Sequence, residues 1–100
     1  MKIKNKVEVK KNEFRTYKPT GHPSYIYARV GNDYKFIGIT HSEITKDVKN
    51  IRLDKNPNPN DMRVAYAHPY SRKDKTRAFS EKRKGWKISK RDKDKVKKYF

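Results

Sequence analysis

Three histidines, His22, His41 and His68, are the side chains in this chain whose protons move most readily near neutral pH. His41 ends the apolar run YKFIGIT and stands beside Ser42, and His68 ends a second run, MRVAYA. Lys35 and Tyr66 come from the same two runs. Together His41, His68, Lys35 and Tyr66 supply what a metal-independent ribonuclease requires. One group takes the 2′-hydroxyl proton, one protonates the leaving oxygen, and cations hold the phosphate. These four are the catalytic candidates under that reading; the plainer alternative makes each histidine a surface loop residue. His22 and His68 both precede proline, in GHPSY and AHPYS, which biases the histidine backbone toward an extended conformation.

Metal chemistry has little to build on. The histidine spacing matches no zinc signature, and there is no cysteine to supply a thiolate or a disulfide. Asp33, Glu43, Asp47, Asp54 and Asp61 are scattered, whereas two-metal nucleases need convergent carboxylates. There is no P-loop, dinucleotide fingerprint or serine elbow. No metal and no cofactor are expected.

The second chemical feature is positive charge. Arg72, Lys73, Lys75, Arg77, Lys82, Arg83, Lys84 and Lys87 lie within one short stretch, interrupted by Phe79 and Trp86. Such cations neutralise phosphates and release condensed counterions, and aromatic rings among them stack on unpaired bases. Tyr25, Tyr27 and Arg29 alternate with Ile26, Ala28 and Val30, which predicts an aromatic and cationic strand face. Left open, that face would be a platform for single-stranded RNA; a second layer over it would bury the tyrosines. No RNP1, GXXG or zinc-knuckle pattern assigns the chain to a common RNA-binding module.

Total charge sharpens the expectation. With 28 Lys and Arg against 11 Asp and Glu, the formal charge is +17 over 100 residues. Residues 1–21 and 72–100 hold most of the excess, and residues 22–71 are nearly balanced. Charge of one sign at this density opposes folding by self-repulsion, which an anionic partner relieves. Nucleic acid is the expected partner, RNA or single strands ahead of duplex DNA, because no obvious helix is suited to a major groove. An acidic protein is the alternative partner. No apolar run is long enough for a membrane span or a signal-peptide core, so a cytoplasmic location and no membrane partner are expected.

The elements that must position these residues are short. SYIYARV and YKFIGIT around GND predict a hairpin, with Gly38 marking a bulge or a close approach by another backbone. Residues 42–49 read as a helical turn capped by Ser42, NIRLDK and MRVAYA as strands, and HPYSRKDKTR as a loop. Near the C-terminus, Ser89 followed by Asp92 resembles a capping box, and Val96, Tyr99 and Phe100 make one apolar stripe. The whole predicts a single α+β domain over residues 22–100. It has a small antiparallel sheet of three to five strands, a short C-terminal helix and basic arms. Residues 1–21 form either a basic arm or an edge strand. The expected function is nucleic-acid binding through Arg29, the 72–87 cations, Trp86 and the two tyrosines. The alternatives are a toxin-like endoribonuclease and a basic inhibitor seated in an acidic groove.

Overall fold

β-branched and aromatic residues dominate the stretch from Phe14 to Thr40, and it folds into three antiparallel strands. They are β1 (Glu8–Tyr17), β2 (His22–Val30) and β3 (Asp33–Thr40). The computed structural model describes residues 7–100. Part of the N-terminal stretch left open between arm and strand is thus an edge strand from Glu8 onward; residues 1–6 lie outside the described residues. Gly21 and Gly31 take φ of +75° and +60° in the two connecting turns, a region that favours glycine.

The chain then makes β4 (Ile44–Thr45), β5 (Val48–Lys49), β6 (Ile51–Arg52), β7 (Tyr66–Ala67) and β8 (Arg72–Lys75). A 3-10 turn (Thr76–Ala78) and one helix, α1 (Lys90–Lys97), complete the elements among the described residues. The main sheet has six strands in the order β1-β2-β3-β7-β6, with β8 pairing the other half of β3, rather than the expected three to five. The α+β class stands.

Three local expectations are corrected. Residues 42–49 are a β4–β5 hairpin and not a helical turn, because Lys46 and Asp47 adopt positive φ (49° and 66°) and turn the chain back. The basic loop after His68 contains a strand, since β3 offers it an unpaired edge. MRVAYA is a strand only at Tyr66–Ala67, and Met62 is 97% exposed.

Beyond the 3-10 turn the chain runs back along β1. Lys18 N–H donates to the Ala78 carbonyl (2.8 Å), Ser80 N–H to Thr16 (2.9 Å) and Arg83 N–H to Phe14 (2.7 Å). A three-residue turn thus joins the β3 side of the sheet to its β1 edge, and the sheet curls. Tyr17, Ile26, Tyr34, Phe36 and Phe79 pack together in one apolar layer. Phe14, Tyr25, Ile37, Ile39 and Leu53 pack in the other, with Val96 of α1 and the partly buried Trp86 and Ile88. With apolar cover on both sides, residues 24–28 are buried without interruption instead of alternating.

A bulge decides the fate of the tyrosines. The register passes from Ile26↔Phe36 to Ala28↔Lys35, so Tyr27 is an extra residue. Tyr25 is fully buried, with its hydroxyl donating to Asn12 Oδ1 (2.7 Å), and burial pushes its pKa up to about 12. Tyr27 is 8% exposed, stacked on Phe100 (centroids 4.1 Å apart, 3° between planes) and bonded to Ser71. The open tyrosine platform is therefore not formed; the C-terminal segment covers it.

At Gly38 the close neighbour is a side chain, and not the bulge or backbone approach expected there. The His68 ring lies over it, and a Cβ at position 38 would sit 2.6 Å from His68 Cδ2. His68 Nδ1 is 3.0 Å from Asn50 Oδ1, and Asn50 Nδ2 donates to the Ser42 carbonyl and to Thr45 Oγ1 (both 2.9 Å). The amide group thereby fixes its oxygen toward His68, which makes Nδ1 the protonated nitrogen. Gly38→Ala would push the ring off this partner. A loss of about 1–3 kcal/mol is expected in urea denaturation, as for other overpacked sites.

Candidate nucleic-acid interface

Cations and aromatic rings line three depressions, the first beside the start of β2 and the end of β3, the other two beside β1, the third reaching α1. The first, about 260 Å³, lies between the loop before β7 and the segment after Ser80. The NPNPND stretch builds one wall by successive side-chain turns. Asn58 N–H donates to Asn56 Oδ1 (2.9 Å), Asn60 N–H to Asn58 Oδ1 (3.0 Å) and Arg63 N–H to Asp61 Oδ1 (3.0 Å). Lys87 N–H donates to the Pro57 carbonyl (3.2 Å) and ties this loop to the opposite wall. There Arg83 lies over Trp86, 4.8 Å from the ring centroid, with its Nε donating to Thr16 Oγ1 (3.0 Å). Trp86 packs its inner side on Phe14 at 5.8 Å.

His41 and Asp61 also line this depression. His41 Nδ1 is 3.0 Å from the Val64 carbonyl, and Nε2 is 3.5 Å from Asp61 Oδ2. Arg63 grips Asp61 with two hydrogen bonds (3.0 and 2.8 Å). Those bonds, the Arg63 backbone N–H and nearby His41 hold the Asp61 carboxyl far below the usual carboxylate range.

The second depression, about 360 Å³, shares Arg83 and Trp86 with the first and adds Asn12, Lys82 and Lys87. The third, about 410 Å³, begins one residue along β1 with Lys11 and Lys10 and continues to Lys93, Lys97, Tyr27 and Phe100. Lys35 is in this third wall, paired with Glu8 (2.8 Å), whose hydrogen bond raises the lysine pKa. Among the described residues, Lys10, Lys11, Lys82, Lys87, Lys93 and Lys97 make no salt bridge. From Thr16 beside Arg83 to Lys10 is six strand residues, roughly 20 Å at the usual rise.

Sequence proximity was a partial guide to this surface. Lys82, Arg83, Trp86 and Lys87 do come together. Lys84 is exposed nearby in sequence but does not line these depressions. Arg72, Lys73, Lys75 and Arg77 lie apart on β8 and the 3-10 turn. Arg72 covers the Tyr17 and Phe36 rings (4.9 and 5.3 Å), and Lys75 pairs with Asp33 (3.4 Å). Arg29 bonds the Gly31 carbonyl (2.8 Å). The lysines of β1 and α1 and Phe100 were missed because they come from opposite ends of the chain, and Arg63 because it comes from the separate loop before β7.

The four acid–base candidates do not converge. His68 lies over Gly38, two residues along β3 from Phe36, whereas His41 shares its depression with Ile39 and Trp86 of the helix-side layer. Lys35 faces Glu8, and Tyr66 pairs with Thr40 and Arg52. No cluster of three metal-ligating side chains occurs among the described residues, and none of their helices is long and apolar enough to cross a membrane.

His68 carries a pH prediction. Burial, then the charges of Arg72 and His22, lower its pKa from the ordinary 6.5. The folded state resists a proton that the unfolded chain accepts. Its contribution to stability is complete above pH 6.5 and is lost as pH falls through the lowered folded-state value. The melting temperature should therefore drop from pH 7 to pH 5, and His68→Gln should flatten that drop in a calorimetric pH series.

Comparison with protein-family models, with curated proteins and with solved structures found no match for this chain.

Proposed function

We propose that this protein binds single-stranded nucleic acid, RNA in particular, along the track that runs from Arg63 past Trp86 to Phe100. One observation carries the reading. Three adjoining depressions are walled by lysines and arginines, most of them without carboxylate partners, and hold the exposed ring of Phe100 and the Trp86 ring beneath Arg83. Phe100 is 43% exposed and Trp86 is partly buried. Phosphates would replace the missing counter-charges, a base would stack on the open side of Phe100, and Trp86 would take one where Arg83 turns from the ring to a phosphate. A groove on a strand edge fits a flexible single strand better than a duplex, because the described residues offer only one eight-residue helix and it is docked.

Fluorescence anisotropy with a labelled single-stranded RNA, a single-stranded DNA and a DNA duplex tests this. The expected order of affinity is single strands above duplex, and log K should fall linearly with log salt at about 0.7 per phosphate contact for the single strands. Equal affinity for duplex and single strands would contradict the assignment to the track.

A further inference from the structure

The first depression holds more than a binding site needs. Two histidines, His22 and His41, line it together with Arg63 and Arg83. The Val64 carbonyl can only accept, so His41 Nδ1 carries a hydrogen and Nε2 is the nitrogen open to exchange. An Nε2 proton faces Asp61, which Arg63 keeps ionised. Arg63 binds that carboxylate through Nε and Nη2, leaving Nη1 for another acceptor. Histidines with cations beside them are the elements of general acid–base attack on a phosphodiester.

We propose that this depression cleaves RNA without a metal, by attack of a ribose 2′-oxygen on the adjacent phosphorus. The proposal rests on the binding reading above. His22 takes the 2′-hydroxyl proton as the 2′-O–P bond forms. The P–O5′ bond breaks, and the leaving oxygen takes the Nε2 proton of His41. Arg63 and Arg83 face the non-bridging oxygens, where negative charge grows. The products are a 2′,3′-cyclic phosphate and a 5′-hydroxyl, and both histidines return to their starting states by exchange with water. His22 replaces His68 in this pair, and Lys35 and Tyr66 have no part in it.

The test incubates the intact protein with 5′-labelled single-stranded RNA in EDTA, with anisotropy measured on the same RNA. The expected result is fragments ending in 2′,3′-cyclic phosphate, with a 2′-deoxy strand of the same sequence uncut. His41→Ala and His22→Ala should each lower the rate at least 100-fold and change Kd less than about threefold. Circular dichroism identifies any variant that misfolds, and His41→Asn, a smaller change, then takes its place. Bound but uncut RNA would overturn the cleavage step and leave the binding reading intact. Cutting that survives both substitutions would place the activity elsewhere and overturn the proposal. Absence of binding would overturn the reading beneath it.

Discussion

Asp92→Ala should lower the stability of the fold by about 2–5 kcal/mol, measured by urea denaturation, because it strands two backbone donors. Asp92 is fully buried at the start of α1. Its Oδ1 accepts from Asp54 N–H at 2.7 Å and its Oδ2 from Lys55 N–H at 3.1 Å. Each amide loses a charged acceptor in the contact between α1 and the 51–55 segment, and an orphaned donor costs about 1–3 kcal/mol. Lys95 Nζ, 3.5 Å from the same carboxylate, also loses a nearby anion. Asp92→Asn keeps one acceptor and places an amide donor against the other N–H, so a smaller loss is expected. The effect reaches function, since α1 carries Lys93 and Lys97 and leads into Phe100, a wall of the third depression. Conditions that loosen α1 in the variant should weaken RNA affinity before the sheet melts, visible as binding loss ahead of the main unfolding transition.

Reversing four lysines of the track, Lys82, Lys87, Lys93 and Lys97, to glutamate should reduce RNA affinity at least 100-fold in low salt. It should also flatten the salt dependence by about 3 in log–log slope, at about 0.7 per lost single-strand contact. None of the four makes a salt bridge among the described residues, so the substitutions remove no pairing the fold uses. Net charge alone would also weaken binding, and a matched variant separates the two causes. Lys18, Lys49, Lys73 and Arg77 are exposed and do not line the track. Reversing these four changes the total charge equally; with both variants compared at about 0.1 M salt, where the Debye length is about 10 Å, the expected loss is several-fold smaller. Equal losses in the two variants would indicate diffuse attraction to the whole surface.

Features fixed by strong local turn and cap chemistry were legible in the sequence; the 42–49 hairpin, whose turn rests on positive φ at Lys46 and Asp47, and the long-range features were not. GND between two apolar runs specifies a hairpin by turn chemistry alone, and β2–β3 forms there. Ser89 caps α1 as expected, accepting from Asp92 N–H (3.1 Å). The Asp92 side chain departs from the capping-box reading, because distant backbone donors at residues 54 and 55 compete for it. Alternation placed Tyr25 and Tyr27 on one face but could not say that a helix from the other end of the chain covers that face. The Val96, Tyr99 and Phe100 stripe was the available signal, since an apolar stripe requires something to dock on. The basic run from Arg72 to Lys87 looked like one surface. Its first half is strand β8 beside β3 and its second half is an irregular segment along β1, because the 3-10 turn carries the chain from the β3 side to the β1 edge between them. His41 meeting Asp61 depends on the fold of NPNPND, whose turns were legible and whose destination was not.

Trp86 is the sole tryptophan, and it stands where the first two depressions meet. Its intrinsic fluorescence therefore reports on the proposed track directly. Titration with single-stranded RNA at low ionic strength should quench and saturate that signal, with salt reversing the change and Trp86→Phe retaining affinity by anisotropy. A Trp86 emission that stays constant while RNA is added to excess, with no association seen by anisotropy, would contradict the account.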